Sequence, residues 1–125
     1  MSRLRPLEDS MDAQVIHIRD GVQDGVLRQG VVYIGDRMLP YMNPTGAYLP
    51  RSDWYNPFKI HKPNKPRDGT RAEVIEKYER YLRTERPDLL ARLPKLEGKT
   101  LACWCKPQAC HGDVLVKLIE VTAQK

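Results

Sequence analysis

Three cysteines and a histidine share one short segment, Cys103-Trp104-Cys105-Lys106-Pro107-Gln108-Ala109-Cys110-His111. A thiolate is a nucleophile and a metal ligand, and imidazole titrates near neutral pH, which suits proton transfer. A carboxylate that follows, Asp113, is placed to orient the histidine. The residue types therefore predict a catalytic set of Cys105, Cys110, His111 and Asp113.

The first interpretation of the segment is an anion site at the start of a helix. Unpaired N–H groups and a partial positive charge at a helix N-terminus attract phosphate. Cys110 or His111 opens the last predicted helix, so residues 109–112 would hold the phosphate, with Gly112 among them. Lys106 adds positive potential, and His111 would carry a proton.

The second interpretation is nucleophilic catalysis by a cysteine that His111 activates. Adjacent residues on a helix point about 100° apart, so Cys110 and His111 would not face each other. Cys105 with His111 is then the more plausible pair.

Two further interpretations stay open, a zinc site and a packing role. The ligand types suit zinc, but the spacing C-x-C-x4-C-H lacks the usual C-x2-C knuckle, so the sequence predicts neither a metal ligand nor a cofactor. Free cysteine is among the most buried residue types, and Cys103 is expected to lie in the core.

A second constellation combines aromatic and basic residues in a proline-rich stretch, residues 36–67. Trp54, Asn56 and Phe58 stand close together, and lysines and arginines follow them. Aromatic rings beside cations can stack on bases and hold phosphates; the alternative is a small core beneath a long loop. Asn56 either makes a turn or reads the edge of a ligand.

The surrounding elements would bring these residues together. Apolar patterns predict strands at residues 14–19, 31–35 and 100–105 and helices at residues 70–83, 86–93 and from about 110 onward. Thr70 and Glu73 form a capping box for the first helix, and Pro94 ends the second. This order predicts a small single α/β domain with a mainly parallel sheet flanked by helices, a Rossmann-like arrangement. Ligands of such sheets bind beyond the carboxyl ends of the strands, so the turn with Gly35 and Arg37 would face the cysteine segment.

The composition sets the class of protein and its compartment. The 125 residues are 41% hydrophobic and 30% charged, which is ordinary for one globular domain. Residues 1–13 are expected to be a flexible leader and residues 14–123 the domain. The crowded cysteines, the lack of a signal peptide and the lack of a long apolar stretch favour the cytoplasm of a bacterial or phage-infected cell, without membrane insertion. The net charge of +5 favours anionic partners, although a mixed, soluble surface would give the same value.

Long motifs resemble the family catalogued as DUF4326, a domain of unknown function frequent in phage and bacterial genomes. The resemblance covers about residues 30–119. It depends on four stretches: Val32-Tyr33-Ile34-Gly35, Trp54 with Asn56-Pro57-Phe58, Val74-Ile75 with Tyr78 and Leu82, and Leu96-Glu97-Gly98-Lys99 running into the cysteine segment through Leu115. The Cys…Cys-His end is also similar to that of the DUF488 family. Neither resemblance implies an established reaction.

The chain departs from the pattern of the DUF4326 family at two positions. Tyr55 stands where the family usually has glycine before Asn-Pro-Phe, and Asp36 intervenes between Gly35 and Arg37. Both positions fall in the expected ligand loops, so a different choice of ligand is expected for this chain.

The preferred hypothesis is a domain that binds a nucleotide, nucleoside, nucleic-acid base or sugar phosphate, whether or not it acts as an enzyme on it. The alternatives are a non-enzymatic phage-type module that binds host nucleic acid or protein, and a small zinc-binding domain. The expected ligand-binding residues are Gly35, Arg37, Trp54, Asn56, Phe58, Lys106 and Gly112.

Overall fold

A computed structural model describes residues 14–60, 62–64 and 67–123, and the predicted leader at residues 1–13 lies outside this range. Five strands occur in chain order: β1 (Gln14–His17), β2 (Val22–Gln23), β3 (Val26–Leu27), β4 (Val31–Tyr33) and β5 (Thr100–Cys103). The main sheet has the order β1-β5-β4, and both neighbours pair with β5 in parallel. The three carboxyl ends therefore share one edge of the sheet.

A small hairpin interrupts what the sequence indicates as a plain turn region. Strands β2 and β3 pair antiparallel around Asp24 and Gly25, which both have positive φ. An Asp-Gly pair supplies the two left-handed residues that a tight hairpin turn of the right twist needs.

Three α-helices follow: α1 (Arg71–Glu85), α2 (Pro87–Leu90) and α3 (His111–Ala123). The predicted capping box is confirmed, since the Thr70 side chain accepts the Glu73 N–H and the Glu73 carboxylate accepts the Thr70 N–H. The second helix is shorter than predicted, and Pro94 lies inside a 3-10 turn, Leu93–Leu96, instead of ending the helix. Proline is tolerated there because the first turn needs no N–H from it.

The two faces of the sheet are covered differently. Leu101 and Cys103 point into a core that α1, α2 and α3 complete, whereas Ala102 points to the opposite face. Ala47 and Leu49 of the β4–α1 segment (residues 36–67) cover that second face. At these residues the long segment therefore packs against the body of the domain.

The result is a small mixed α/β domain with a three-stranded parallel sheet. The predicted strand at residues 100–105 stops at Cys103, so Trp104 and Cys105 belong to the following β5–α3 loop (residues 104–110). Within the described ranges, no helix combines the length and the apolar character needed to cross a membrane.

Candidate functional site

A cavity of about 310 Å³ opens at the carboxyl edge of the parallel sheet. The turn after β4, the β5–α3 loop, the first turn of α3, the amino-terminal half of α1 and the β4–α1 segment contribute to its wall. The lining residues are Gly35, Asp36, Asn56, Phe58, Lys59, Ile60, Lys62, Arg67, Arg71, Val74, Ile75, Cys103, Trp104, Cys105, Ala109, Cys110 and His111. The structure therefore brings the turn after β4 and the cysteine segment to one site.

Cys110 caps the amino-terminal end of α3. Its Sγ accepts the Gly112 N–H at 3.3 Å, and its own N–H is donated to Asp113 Oδ2 at 3.0 Å. This is the reciprocal arrangement of a capping box, with a thiol in the position that Ser or Thr usually occupies. Cys110 is buried, so the cap also belongs to the core.

This cap uses two of the donors that were expected to hold a phosphate. The Cys110 and Gly112 N–H groups are already bonded, and Lys106 Nζ lies 2.6 Å from Asp113 Oδ1. At these three groups, the protein's own side chains take the place predicted for the phosphate. Asp113 likewise caps the helix and pairs with Lys106, and it does not orient His111.

The three thiols form a cluster on the floor of the cavity. The Sγ atoms of Cys103 and Cys110 are 3.0 Å apart, and the Cys105 thiol interacts with Cys103 and Arg71. Hydrogen bonding to Cys103, together with burial, raises the pKa of Cys105. The hydrogen bond from Cys103 lowers the pKa of Cys110, and it outweighs the opposing effect of burial. Thiolate character is therefore favoured at Cys110 rather than at Cys105.

His111 serves the fold through one ring nitrogen. Nε2 lies 2.7 Å from the Ile34 carbonyl oxygen, and the ring meets Tyr78 edge-on with centroids 4.9 Å apart. A carbonyl only accepts, so Nε2 carries the proton. Burial lowers the pKa of His111, which keeps the ring neutral. The predicted Cys105–His111 pair is not seen among the described residues, since the Cys105 thiol interacts with Cys103 and Arg71 instead.

Basic side chains line the cavity: Lys59, Lys62, Arg67 and Arg71. The first three belong to the basic stretch that follows Phe58 in the sequence, whereas Arg71 was not predicted as a site residue. Arg71 donates to the Ala109 carbonyl at 2.9 Å and to Gln108 Oε1 at 2.8 Å, so it fastens α1 to the β5–α3 loop. Arg71 is the first residue of α1, where the helix dipole disfavours a cation. A basic residue at the start of the predicted helix is thus the sequence feature that could have identified Arg71 as a site residue.

The turn after β4 is built around a close approach of Tyr33 to Gly35. The Tyr33 hydroxyl donates to the Asp36 carbonyl at 2.6 Å and accepts the Trp104 indole N–H at 2.7 Å. A Cβ on Gly35 would lie 2.5 Å from that hydroxyl oxygen, so only glycine fits without a shift. Gly35 lines the cavity because the turn requires it there.

Asp36 is the one carboxylate among the described lining residues. It bonds Arg51 Nε at 2.6 Å, and Lys59 Nζ lies 3.5 Å away. Partial burial would raise the pKa of Asp36, but the hydrogen bonds from Arg51 and the Arg37 N–H hold it below its usual range. The carboxylate is therefore ionised and neutralised at the cavity rim.

The remaining predicted ligand residues divide into two groups. Asn56 and Phe58 line the cavity. The Asn56 side chain accepts the Phe58 N–H at 2.9 Å, which makes a turn, and donates to the Val74 carbonyl at 3.3 Å, which connects that turn to α1. Trp54 is 5% exposed and lies in the core instead, with its carbonyl bonded to the Tyr78 hydroxyl.

Arg37 and Gly112 also lie apart from the cavity. Arg37 is exposed and is not among the described lining residues, and its backbone N–H donates to the Asp36 carboxylate. Gly112 lies against Ile34 and Val15, where a Cβ would approach their side chains to 2.9 and 3.0 Å. Its role in the structure is close packing of α3 on the sheet.

The zinc interpretation gains no observation in its favour: within the described parts of the chain, no three His, Cys, Asp or Glu side chains are grouped so that they could hold a metal ion.

The fold and the cavity define a small α/β domain with a basic, thiol-floored pocket at the carboxyl edge of a parallel sheet. The chain belongs to the DUF4326 family, described as a domain of unknown function, whose model matches residues 18–121. It is 36% identical over 98 residues to an uncharacterised protein of Acanthamoeba polyphaga mimivirus, an alignment that covers 72% of this chain and 67% of the viral protein. No solved structure matches the chain significantly.

Proposed function

We propose that the cavity binds a small anionic ligand, a nucleotide or another phosphorylated nucleoside or sugar. The observation that carries the proposal is the combination of basic and apolar side chains in one cavity at the sheet edge. The basic lining residues are Lys59, Lys62, Arg67 and Arg71, and the apolar ones include Phe58, Ile60, Val74 and Ile75. Parallel α/β sheets bind ligands at this edge, as expected for a Rossmann-like relationship.

The charge balance of the cavity favours an anion. Among the described lining residues, cationic side chains outnumber the one carboxylate, and Asp36 is already bonded to Arg51 outside the lining. Arg71 directs its guanidinium at neutral acceptors, Ala109 O and Gln108 Oε1, so its charge is not cancelled by them. An incoming phosphate would bring negative charge to Arg71.

The volume of the cavity and its apolar lining residues favour a small organic molecule over a simple inorganic ion. The volume of 310 Å³ lies at the lower end of ligand pockets, which run from about 300 to 1,000 Å³. Phe58 offers an aromatic surface beside the cations, and a base or sugar ring can pack against such a surface. The phosphate would thus contact the basic side chains and the ring the apolar ones.

Titration calorimetry with the full chain tests this proposal. A nucleoside monophosphate should bind more tightly than the matching nucleoside or inorganic phosphate alone. Lys62→Gln removes a cation from the cavity and should weaken monophosphate binding several-fold, whereas Lys95→Gln, on the exposed 3-10 turn outside the cavity, should not. Equal binding by both variants, or none by the native chain for any nucleotide or sugar phosphate, would overturn the proposal.

A nucleic-acid module is the competing outcome of the same experiment. Binding to phosphates of DNA weakens steeply as salt rises because counterions are released. If DNA binds more tightly than any mononucleotide and shows this salt dependence, the chain is a nucleic-acid module and the cavity is not its main site.

A second candidate is a thiol-dependent enzyme that acts on the bound ligand. The lowered pKa of Cys110, and its place at a helix N-terminus, favour this residue as the nucleophile over Cys105. Modification of Cys110 by iodoacetamide should be slowed by a saturating ligand that occupies the cavity. If a saturating ligand does not slow the modification of Cys110, the thiol does not belong to the ligand site.

A further inference from the structure

Cys103 and Cys110 stand in direct sulfur contact although six residues separate them. Cys103 ends β5 and Cys110 precedes α3, and the β5–α3 loop folds back so that their Sγ atoms are 3.0 Å apart. Each side chain is 2% exposed, yet both line the cavity. A small reagent in the cavity therefore reaches two thiols at once, whereas larger molecules cannot.

The two thiols have different surroundings, and this difference assigns their roles. Cys110 Sγ accepts the Gly112 N–H at 3.3 Å and stands at the positive end of α3. Its pKa is lowered, first by the hydrogen bond from Cys103. For Cys103, hydrogen bonding with Cys105 lowers the pKa, but donation to Cys110 and burial prevail and raise it. Cys110 is thus the thiol that is suited to attack an oxidant. Cys103 is the neighbouring thiol that is placed to react with the oxidised Cys110.

We propose that Cys103 and Cys110 form a reversible disulfide when a small peroxide enters the cavity. The Cys110 thiolate attacks one peroxide oxygen, the O–O bond breaks, and Cys110 becomes a sulfenic acid while hydroxide leaves. The Cys103 thiol then attacks the Cys110 sulfur; the S–S bond forms, the S–O bond breaks, and the departing hydroxide takes the Cys103 proton as water. In total two thiols lose two hydrogens, and one peroxide is reduced to two waters.

Cys105 is the other thiol that could form a disulfide with Cys103, because its thiol interacts with Cys103 as well as with Arg71. Its raised pKa disfavours Cys105 as the attacking thiol. This makes Cys105→Ser the matched control. Formation of the Cys103–Cys110 disulfide does not require the anionic ligand of the proposed function. The disulfide proposal and the ligand proposal can therefore fail independently.

The test is differential labelling of the full chain after exposure to hydrogen peroxide. After the peroxide is removed, the chain is unfolded in guanidinium chloride and its free thiols are blocked with N-ethylmaleimide. The disulfide is then reduced with dithiothreitol, and the released thiols are labelled with iodoacetamide. Residues 100–117 form one tryptic peptide, since the bond between Lys106 and Pro107 resists cleavage, so fragment spectra locate each label. The iodoacetamide label is expected on Cys103 and Cys110 and the maleimide label on Cys105. An iodoacetamide label on Cys105, or a disulfide between two chains, would overturn the proposal.

Variants give an independent readout. Cys105→Ser should still lose two hydrogens of mass on oxidation and regain them with dithiothreitol. Cys110→Ser, whose hydroxyl can still accept the Gly112 N–H, should lose the internal disulfide while keeping its fold. If Cys110→Ser forms an internal disulfide at the native rate, Cys110 is not the attacking thiol. Cys103→Ala should leave Cys110 as a sulfenic acid that dimedone traps, and the absence of such an adduct would contradict the assigned roles.

Discussion

The Nε2 atom of His111 lies 2.7 Å from the carbonyl oxygen of Ile34, and this bond joins the first turn of α3 to the end of β4. Ile34 is fully buried and continues the sheet, since its N–H donates to the Ala102 carbonyl at 3.0 Å. One residue thus connects the central strand, the edge strand and the closing helix. The histidine that the sequence suggests as a proton carrier is a structural donor at the floor of the cavity.

Neutral His111 makes stability depend on pH. Burial lowers its pKa in the folded chain below the ordinary value of about 6.5. Between the folded and the unfolded pKa, the unfolded state binds more protons, so the free energy of unfolding rises with pH. Stability is therefore expected to be fully present above about pH 6.5 and to fall as the pH drops through the folded pKa. Urea denaturation across this range measures the slope.

Substitutions separate His111 from the other described histidine. His111→Gln keeps an N–H donor for the Ile34 carbonyl but does not titrate, so it should flatten the slope. The pKa of His17 is also lowered, by burial and then by Arg19, so His17→Gln is the control. If His17→Gln removes the slope and His111→Gln does not, the assignment to His111 is wrong.

Local sequence signals predicted the elements well. The Thr70–Glu73 capping box and the buried positions Val74, Tyr78 and Leu82 follow from the spacing of nearby residues, and the structure shows all of them. A helix cap and an apolar face depend on residues three or four apart, so they are visible in the sequence. The parallel sheet with a shared edge follows from the order of the elements.

The site was harder to predict because its partners are distant in the chain. Arg71 bonds the β5–α3 loop across 37 and 38 positions. Trp54 was expected at the ligand, but its carbonyl is bound by the Tyr78 hydroxyl within the core. Whether an aromatic residue of a loop contacts ligand or core depends on tertiary packing, and no spacing rule expresses that. Likewise, the N–H groups at the start of α3 were expected to be open, but Cys110 and Asp113 cap them.

Gly35→Ala is expected to destabilise the turn after β4. The new Cβ would lie 2.5 Å from the Tyr33 hydroxyl oxygen and 2.6 Å from Cζ, so the ring must move. Movement would break the hydrogen bonds of Tyr33 to Asp36 and Trp104, and overpacking of this kind costs about 1–3 kcal/mol. Chemical denaturation gives the change in the free energy of unfolding.

Gly25→Ala is the comparison for a glycine whose requirement is conformational. Gly25 has φ of 80° and open space around its Cβ position, so its substitution strains the backbone without a clash. Only Gly35→Ala should also change the near-ultraviolet circular dichroism of Tyr33 and Trp104. An unchanged spectrum and native stability in Gly35→Ala would show that the close approach is not maintained in solution.

Arg71→Lys should loosen the β5–α3 loop even though the charge is kept. A lysine ammonium cannot reach the Ala109 carbonyl and Gln108 Oε1 in the fork geometry of the guanidinium. The expected loss in stability is about 0.5–1.5 kcal/mol, the usual range for one hydrogen bond, because the site is partly exposed. Faster amide hydrogen exchange in residues 104–110 would locate the effect. Arg80→Lys, on the exposed side of the same helix, should change neither quantity; equal effects from both variants would contradict the role of Arg71.

Gly112→Ala should destabilise the chain although alanine is the better helix former. Intrinsic propensity alone would favour alanine in a helix by about 1 kcal/mol. The added Cβ, however, would lie 3.0 Å from both methyl carbons of Val15 and 2.9 Å from Ile34 Cδ1. Val15 is β-branched and stiff, so it cannot turn aside as a flexible side chain would. The clash is expected to outweigh the propensity, with a net loss of about 1 kcal/mol or more.

A double-mutant cycle with Val15→Ala tests whether this contact is the cause. Val15→Ala alone removes partly buried methyl groups from the core and should destabilise. In the Gly112→Ala background it also removes the clash, so the double variant should be more stable than the sum of the two single losses predicts, by a coupling of about 0.5–3 kcal/mol. Additive losses would show that α3 does not lie this close to β1. In that case Cys110, two residues before Gly112, would not be held against Cys103 by the packing of the helix on the sheet.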